Sequence, residues 1–157
     1  METNKNIKFN AIDYIIIGSS ILLIVLSWVY IGVEYADLPE TIPSHFNHKG
    51  EVDGYSSKSM LWIISTIFTV LTIGIFFLAK SPSLHNVRLK TREASFRSVA
   101  IFMPFIASIQ AIAVYSMIQE AHGTFNYSGW ILPLILTLTA FFLILLFVIL
   151  SKNRKHD

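Results

Sequence analysis

The sequence predicts an all-α, polytopic membrane protein: four transmembrane helices in a small bundle, with an extracytoplasmic cap between helices 1 and 2. Three observations carry this. Apolar residues make up 54% of the 157-residue chain and charged residues only 14%, against about 25% charged in soluble proteins. Four long runs carry no charge at all. The basic residues are sorted to one side of those runs.

The uncharged runs are Tyr14–Val33 (20 residues), Ser59–Ala79 (21), Ser98–Gln119 (22) and Gly123–Ser151 (29). A hydrocarbon core about 30 Å thick needs about 20 apolar residues rising 1.5 Å each. Buried core helices are usually shorter and carry polar faces. Backbone that faces lipid must satisfy its own hydrogen bonds, so each run is expected to be helical. The expected spans are about 13–33, 59–79, 98–119 and 129–151, in one domain over 1–157. The first run exceeds the 7–15-residue apolar core of a signal peptide, and no A-x-A-like exit follows it. It reads as a retained anchor.

Lys5 and Lys8 precede span 1, and Lys80, Arg88, Lys90, Arg92 and Arg97 lie between spans 2 and 3. Lys152, Arg154 and Lys155 follow span 4, which leaves only Lys49 and Lys58 for the other side. The positive-inside rule therefore places both termini and the loop 80–97 in the cytoplasm of a plasma membrane. Segment 34–58 and the loop around Glu120–Ser128 then lie outside. Tyr14, Trp28, Tyr30, Trp62, Tyr127 and Trp130 flank the spans as interface anchors.

Within span 3, Pro104 is expected to kink the helix, and Pro133 falls early in span 4, where a missing N–H costs little. Ala107 and Ala111 form a small face suited to close packing inside the bundle. Gln110, the amide deep in span 3, is expected to hydrogen-bond between helices. The serines and threonines of the spans can bond to their own backbone. Asp13 stands at a membrane edge, and no ionisable group lies near a span's middle, which argues against ion or proton transport. With no nucleophile–base set, no HExxH and no Gly-x-Ser-x-Gly, no enzyme is expected. A net charge of +2 implies no nucleic-acid partner, and the absence of cysteine excludes disulfides and thiolate metal sites.

The segment 38–58, "LPETIPSHFNHKGEVDGYSSK", reads as a folded cap. Pro39 and Pro43 push their predecessors into extended backbone. Ser44 is expected to cap a short helical turn over His45–Lys49, ended by Gly50. Asp53-Gly54 reads as a turn, and Ser56 or Ser57 as a cap for span 2. His45 and His48, at i and i+3, would share a face of that turn. With Glu51, Asp53 and His122 they form a candidate zinc set, and a protonation switch is the alternative use of imidazole. Local hydrogen bonding of these histidines stands beside both readings, and no cofactor is the leading expectation. Asn126-Tyr127-Ser128 is a formal glycosylation sequon that alone carries no weight.

Leu38, Pro39, Ile42, Pro43, His45, Phe46, Gly50, Asp53, Gly54 and Lys58 together resemble the signature of a bacterial membrane domain of unknown function. That domain also forms the N-terminal part of Sdp-type toxin immunity proteins. The resemblance covers spans 1 and 2 with their loop, and the second, immunity-type domain has no evident counterpart after span 2. It implies a small helical membrane bundle and a non-enzymatic, immunity- or signalling-like role. Ligand contacts are expected from His45, Phe46, Asp53, Tyr55 and Lys58, and backbone shaping from Pro39, Pro43, Gly50 and Gly54. The expected partners are the bilayer, a peptide toxin or a membrane protein, and a cytoplasmic protein at the basic loop 80–97. The alternatives are an accessory subunit of a membrane transporter or other complex, and a metal- or pH-responsive sensor.

Overall fold

The computed structural model describes residues 7–47, 51–82, 89, 91–123 and 131–153. In chain order these form α1 (Ala11–Glu34), β1 (Thr41–Phe46), β2 (Val52–Ser57), α2 (Met60–Lys80), α3 (Arg92–Ala100), α4 (Phe102–Ala121) and α5 (Ile131–Asn153). The chain is mostly helical, and the described residues include four helical stretches long and apolar enough to cross a bilayer.

Each helix lies within a few residues of its expected span except the third, which begins earlier. There α3 and α4 form one stretch, Arg92–Ala121, of 30 residues. At 1.5 Å per residue this is about 45 Å, longer than the hydrocarbon core, so its charged first turns can stand at the membrane edge. The helix is interrupted at Ile101. Pro104 accounts for the break: it has no N–H to offer the Ala100 carbonyl, and its ring crowds that group.

Helix starts are locally encoded. The Asn10 side chain accepts from Ile12 N and Asp13 N, and Asp13 Oδ2 accepts from Asn10 N at 2.8 Å, closing a capping box. Thr91 Oγ1 accepts from Ala94 N at 3.1 Å to start α3. Ser59, not Ser56 or Ser57, is the cap residue of α2, and it makes no side-chain cap bond. Its N–H and hydroxyl lie instead against Ser57 Oγ.

The bundle is built inside out relative to a soluble protein. Its interior stripes are small or polar: Ser20 and Ser27 on α1, Ser65 and Thr72 on α2, Ala107 and Gln110 on α4. Large apolar side chains such as Ile15, Leu26, Val33, Phe77, Phe141 and Phe147 point outward. Water would penalise such a surface, whereas lipid tails do not, and small residues let helix backbones approach closely. The buried stripe of α4, Met103–Ala107–Gln110–Val114–Met117, has alternating spacings of four and three and packs against α1 and α2. Helix α5 leans on α3 and α4, with Phe142 stacked on Phe105 at 4.5 Å.

Two apolar clusters close the ends. Ile31, Leu38, Ile42, Leu61, Val114, Met117 and Ile118 gather at the hairpin end. Ile16, Ala79, Phe96, Ala100 and Met103 gather at the other. Most span hydroxyls donate to their own helix as expected, for example Ser20 to Ile16 O at 2.6 Å and Thr72 to Phe68 O at 2.9 Å. Gln110 departs from expectation. Its amide is fully buried on the stripe facing α1 and α2, yet makes no hydrogen bond to any other helix among the described residues.

Candidate functional site: the hairpin between α1 and α2

The segment expected to hold a helical turn is an antiparallel hairpin. β1 pairs with β2 in the register Thr41↔Ser57, Ile42↔Ser56, Pro43↔Tyr55, His45↔Gly54 and Phe46↔Val52. The extended bias set by Pro43 on Ile42 therefore continues through the strand, and His45 has no helical face to share with His48. His48, Lys49 and Gly50 themselves lie outside the described residues.

The ladder is irregular between Pro43 and His45 and again between His45 and Phe46. Proline cannot donate to a ladder, and such positions favour bulges and sheet edges. The second irregularity leaves Asp53 without a facing partner in the register and brings its carboxylate to the imidazole. His45 Nδ1 and Asp53 Oδ1 lie 2.5 Å apart. A carboxylate oxygen accepts, so the imidazole donates from Nδ1 in this pair.

Asp53-Gly54 reads as a turn in the sequence, but Gly54 lies within β2. A Cβ built there would stand 2.9 Å from His45 Cβ, so this cross-strand position needs a residue without a side chain. The strand ends nearest the tip are joined by Asn47 and Glu51. Asn47 N donates to Glu51 O at 2.9 Å, Glu51 N to Asn47 Oδ1 at 3.1 Å, and Asn47 Nδ2 to Glu51 Oε2 at 2.9 Å.

The underside of the hairpin is bolted to the helices. Leu38 and Ile42 enter the apolar cluster with Ile31, Leu61 and Val114. Lys58, only 15% exposed along its side chain, donates to Leu38 O at 3.2 Å, pairs with Glu40 at 3.1 Å and sits 5.0 Å over the Tyr35 ring. These contacts make Lys58, a ligand-contact candidate in the sequence, a tie between the strap and the start of α2. Pro43 is buried and Pro39 exposed, both in the extended strap, while Phe46 is half-buried. The upper face presents Tyr55, 65% exposed, and the His45–Asp53 pair.

The remaining candidates lie apart. His122 Nε2 meets Glu34 Oε2 at 3.0 Å, joining the ends of α4 and α1. Nearby, Gln119 Nε2 donates to the Tyr30 hydroxyl at 2.7 Å. Among the described residues, no three of His, Asp and Glu gather as metal ligands would. A pairing that sequence reasoning missed is Asp13 with Arg97. The Asn10-x-x-Asp13 spacing signalled a helix start, but nothing in the chain pointed to the distant arginine.

Residues 22–69 match the profile of a protein family described as a domain of unknown function (DUF1648). The match runs from within α1 across the hairpin and into α2, so its centre is the cap. A stretch of 61 residues is 34% identical to an uncharacterized protein of Archaeoglobus fulgidus, covering 39% of this chain and 33% of that protein. The chain thus spans about a third of the length of this relative. No solved structure matches.

Proposed function

We propose that this is a non-enzymatic integral membrane protein of the plasma membrane, whose hairpin faces outward and recognises an external ligand in an immunity- or signalling-like role. The observation that carries this reading is the division of the hairpin into two faces. One face, through Leu38, Ile42 and Lys58, is fixed to the ends of α1, α2 and α4. The other holds His45, oriented by Asp53, and Tyr55 in the open. A polar pair and an exposed aromatic on a rigid support are the elements of a recognition surface.

The resemblance to the immunity-protein domain suggests a secreted peptide toxin as the ligand. Cells carrying the protein, cells lacking it and cells carrying a His45→Ala, Tyr55→Ala variant are challenged with such a toxin. Protection by the unaltered protein alone is expected, and equal killing in all three overturns the reading.

A second reading is an accessory subunit of a membrane complex, with α5, the least buried of the four long helical stretches, as the helix left open to a partner. It requires a stoichiometric partner that co-purifies after mild detergent extraction.

A further inference from the structure

Gln110 lies near the midpoint of α4, fully buried, and neither its Nε2 nor its Oε1 finds a hydrogen-bond partner among the described residues. Ser65 on α2 is also fully buried, and its Oγ is in the same condition. Removing an amide and a hydroxyl from water without partners is costly. Lipid tails offer neither donor nor acceptor, and the backbone carbonyls of the surrounding helices are engaged in their own ladders.

The two groups lie at one depth. Ile31, Leu61 and Val114, from α1, α2 and α4, meet in the apolar cluster at the hairpin end. One helical turn deeper, four residues along each chain direction, stand Ser27, Ser65 and Gln110. All three are buried. A four-residue step is about 6 Å along each axis, so three packed helices each supply one polar side chain to the layer beneath the apolar lid. Ser27 Oγ donates to Leu23 O at 2.8 Å and keeps lone pairs for a further donor.

We propose that Gln110, Ser65 and Ser27 form an internal hydration site, its ligand ordered water held between α1, α2 and α4. Buried water typically makes about three hydrogen bonds to polar groups that lack other partners. This layer provides an amide with two donors and an acceptor, a hydroxyl that can do either, and a second hydroxyl that accepts. Among the described residues no buried carboxylate stands in this layer to favour a cation.

Water-edited solid-state NMR of the full chain in liposomes tests the site. The expected result is that magnetisation reaches the Gln110 side-chain nitrogen about threefold faster or more than the methyls of Ala107 and Val114 on the same stripe. Ser65→Ala is expected to slow that transfer about twofold, because one of the water's partners is lost. Transfer to Gln110 no faster than to Val114 in the unaltered protein overturns the proposal without any variant. So does an unchanged rate in a folded Ser65→Ala protein.

Discussion

Asp13 and Arg97, 84 positions apart, form a two-point ion pair: Nε donates to Oδ1 at 2.8 Å and Nη2 to Oδ2 at 3.0 Å. The carboxylate is fully buried and the arginine side chain 24% exposed. Its Oδ2 also accepts from Asn10 N, so one aspartate both caps α1 and ties it to α3. The backbone N–H of Lys8 adds a bond to Glu93 Oε1 at 3.3 Å. The two helices are thereby fixed at the end of the bundle remote from the hairpin.

Removing one partner of this pair strands a buried charge. Arg97→Met is expected to destabilise the protein by about 3–5 kcal/mol, whereas Asp13→Asn together with Arg97→Met recovers part of the loss. Thermal unfolding in detergent of the two single variants and the double variant checks this. Strict additivity would mean that the two residues do not interact.

The close approach of Gly54 to His45 makes a second expectation. With a new Cβ 2.9 Å from His45 Cβ, Gly54→Ala must push the strands apart, at a cost of about 1–3 kcal/mol. Because the strain is local to the hairpin, limited proteolysis is expected to cut between β1 and β2 faster while the helices stay intact. An unchanged cleavage rate would show that the hairpin absorbs the methyl.

Much of this architecture was legible before the structure. Lipid demands long uncharged helices, so the spans stand out by length alone, and the break at Ile101 follows from Pro104. The hairpin did not stand out. Pro43 within β1 argues against a strand, and Asp53-Gly54 imitates a turn, yet pairing overrides both because the ladder is irregular where these residues sit. His45–Asp53 and Asp13–Arg97 arise from register and helix packing, which no local pattern encodes. The chemistry of Gln110 is visible in the sequence, but its lack of a hydrogen-bond partner among the described residues depends on what the facing stripes of α1 and α2 carry.

Asp53→Asn is expected to separate the proposed recognition from stability. The His45–Asp53 pair is exposed, and such pairs contribute about 0.2–1 kcal/mol, so the melting temperature is expected to stay nearly constant. The substitution keeps the shape of Asp53 but no longer dictates which imidazole nitrogen holds the proton. Ligand protection by the hairpin is expected to fall at least as far as in Tyr55→Ala, measured in the toxin challenge. Full protection by Asp53→Asn would confine the pair to a structural role.

The expected sidedness of the bundle rests on the sorting of its basic residues, and the lack of native cysteine makes it directly measurable. Lysines and arginines near span ends resist translocation, so the segments richest in them stay in the cytoplasm. Tyr55 on the hairpin and Lys152 near the end of α5 are both exposed, so either can carry a reporter without disturbing the interior. In intact cells an impermeant maleimide is expected to label Tyr55→Cys and to spare Lys152→Cys until the membrane is permeabilised. The opposite pattern would turn the hairpin towards the cytoplasm and remove its access to any secreted ligand. Labelling of both variants in intact cells would mean that the two sites face the same side, which an even number of crossings between hairpin and C-terminus would require and the three helical stretches described there do not provide.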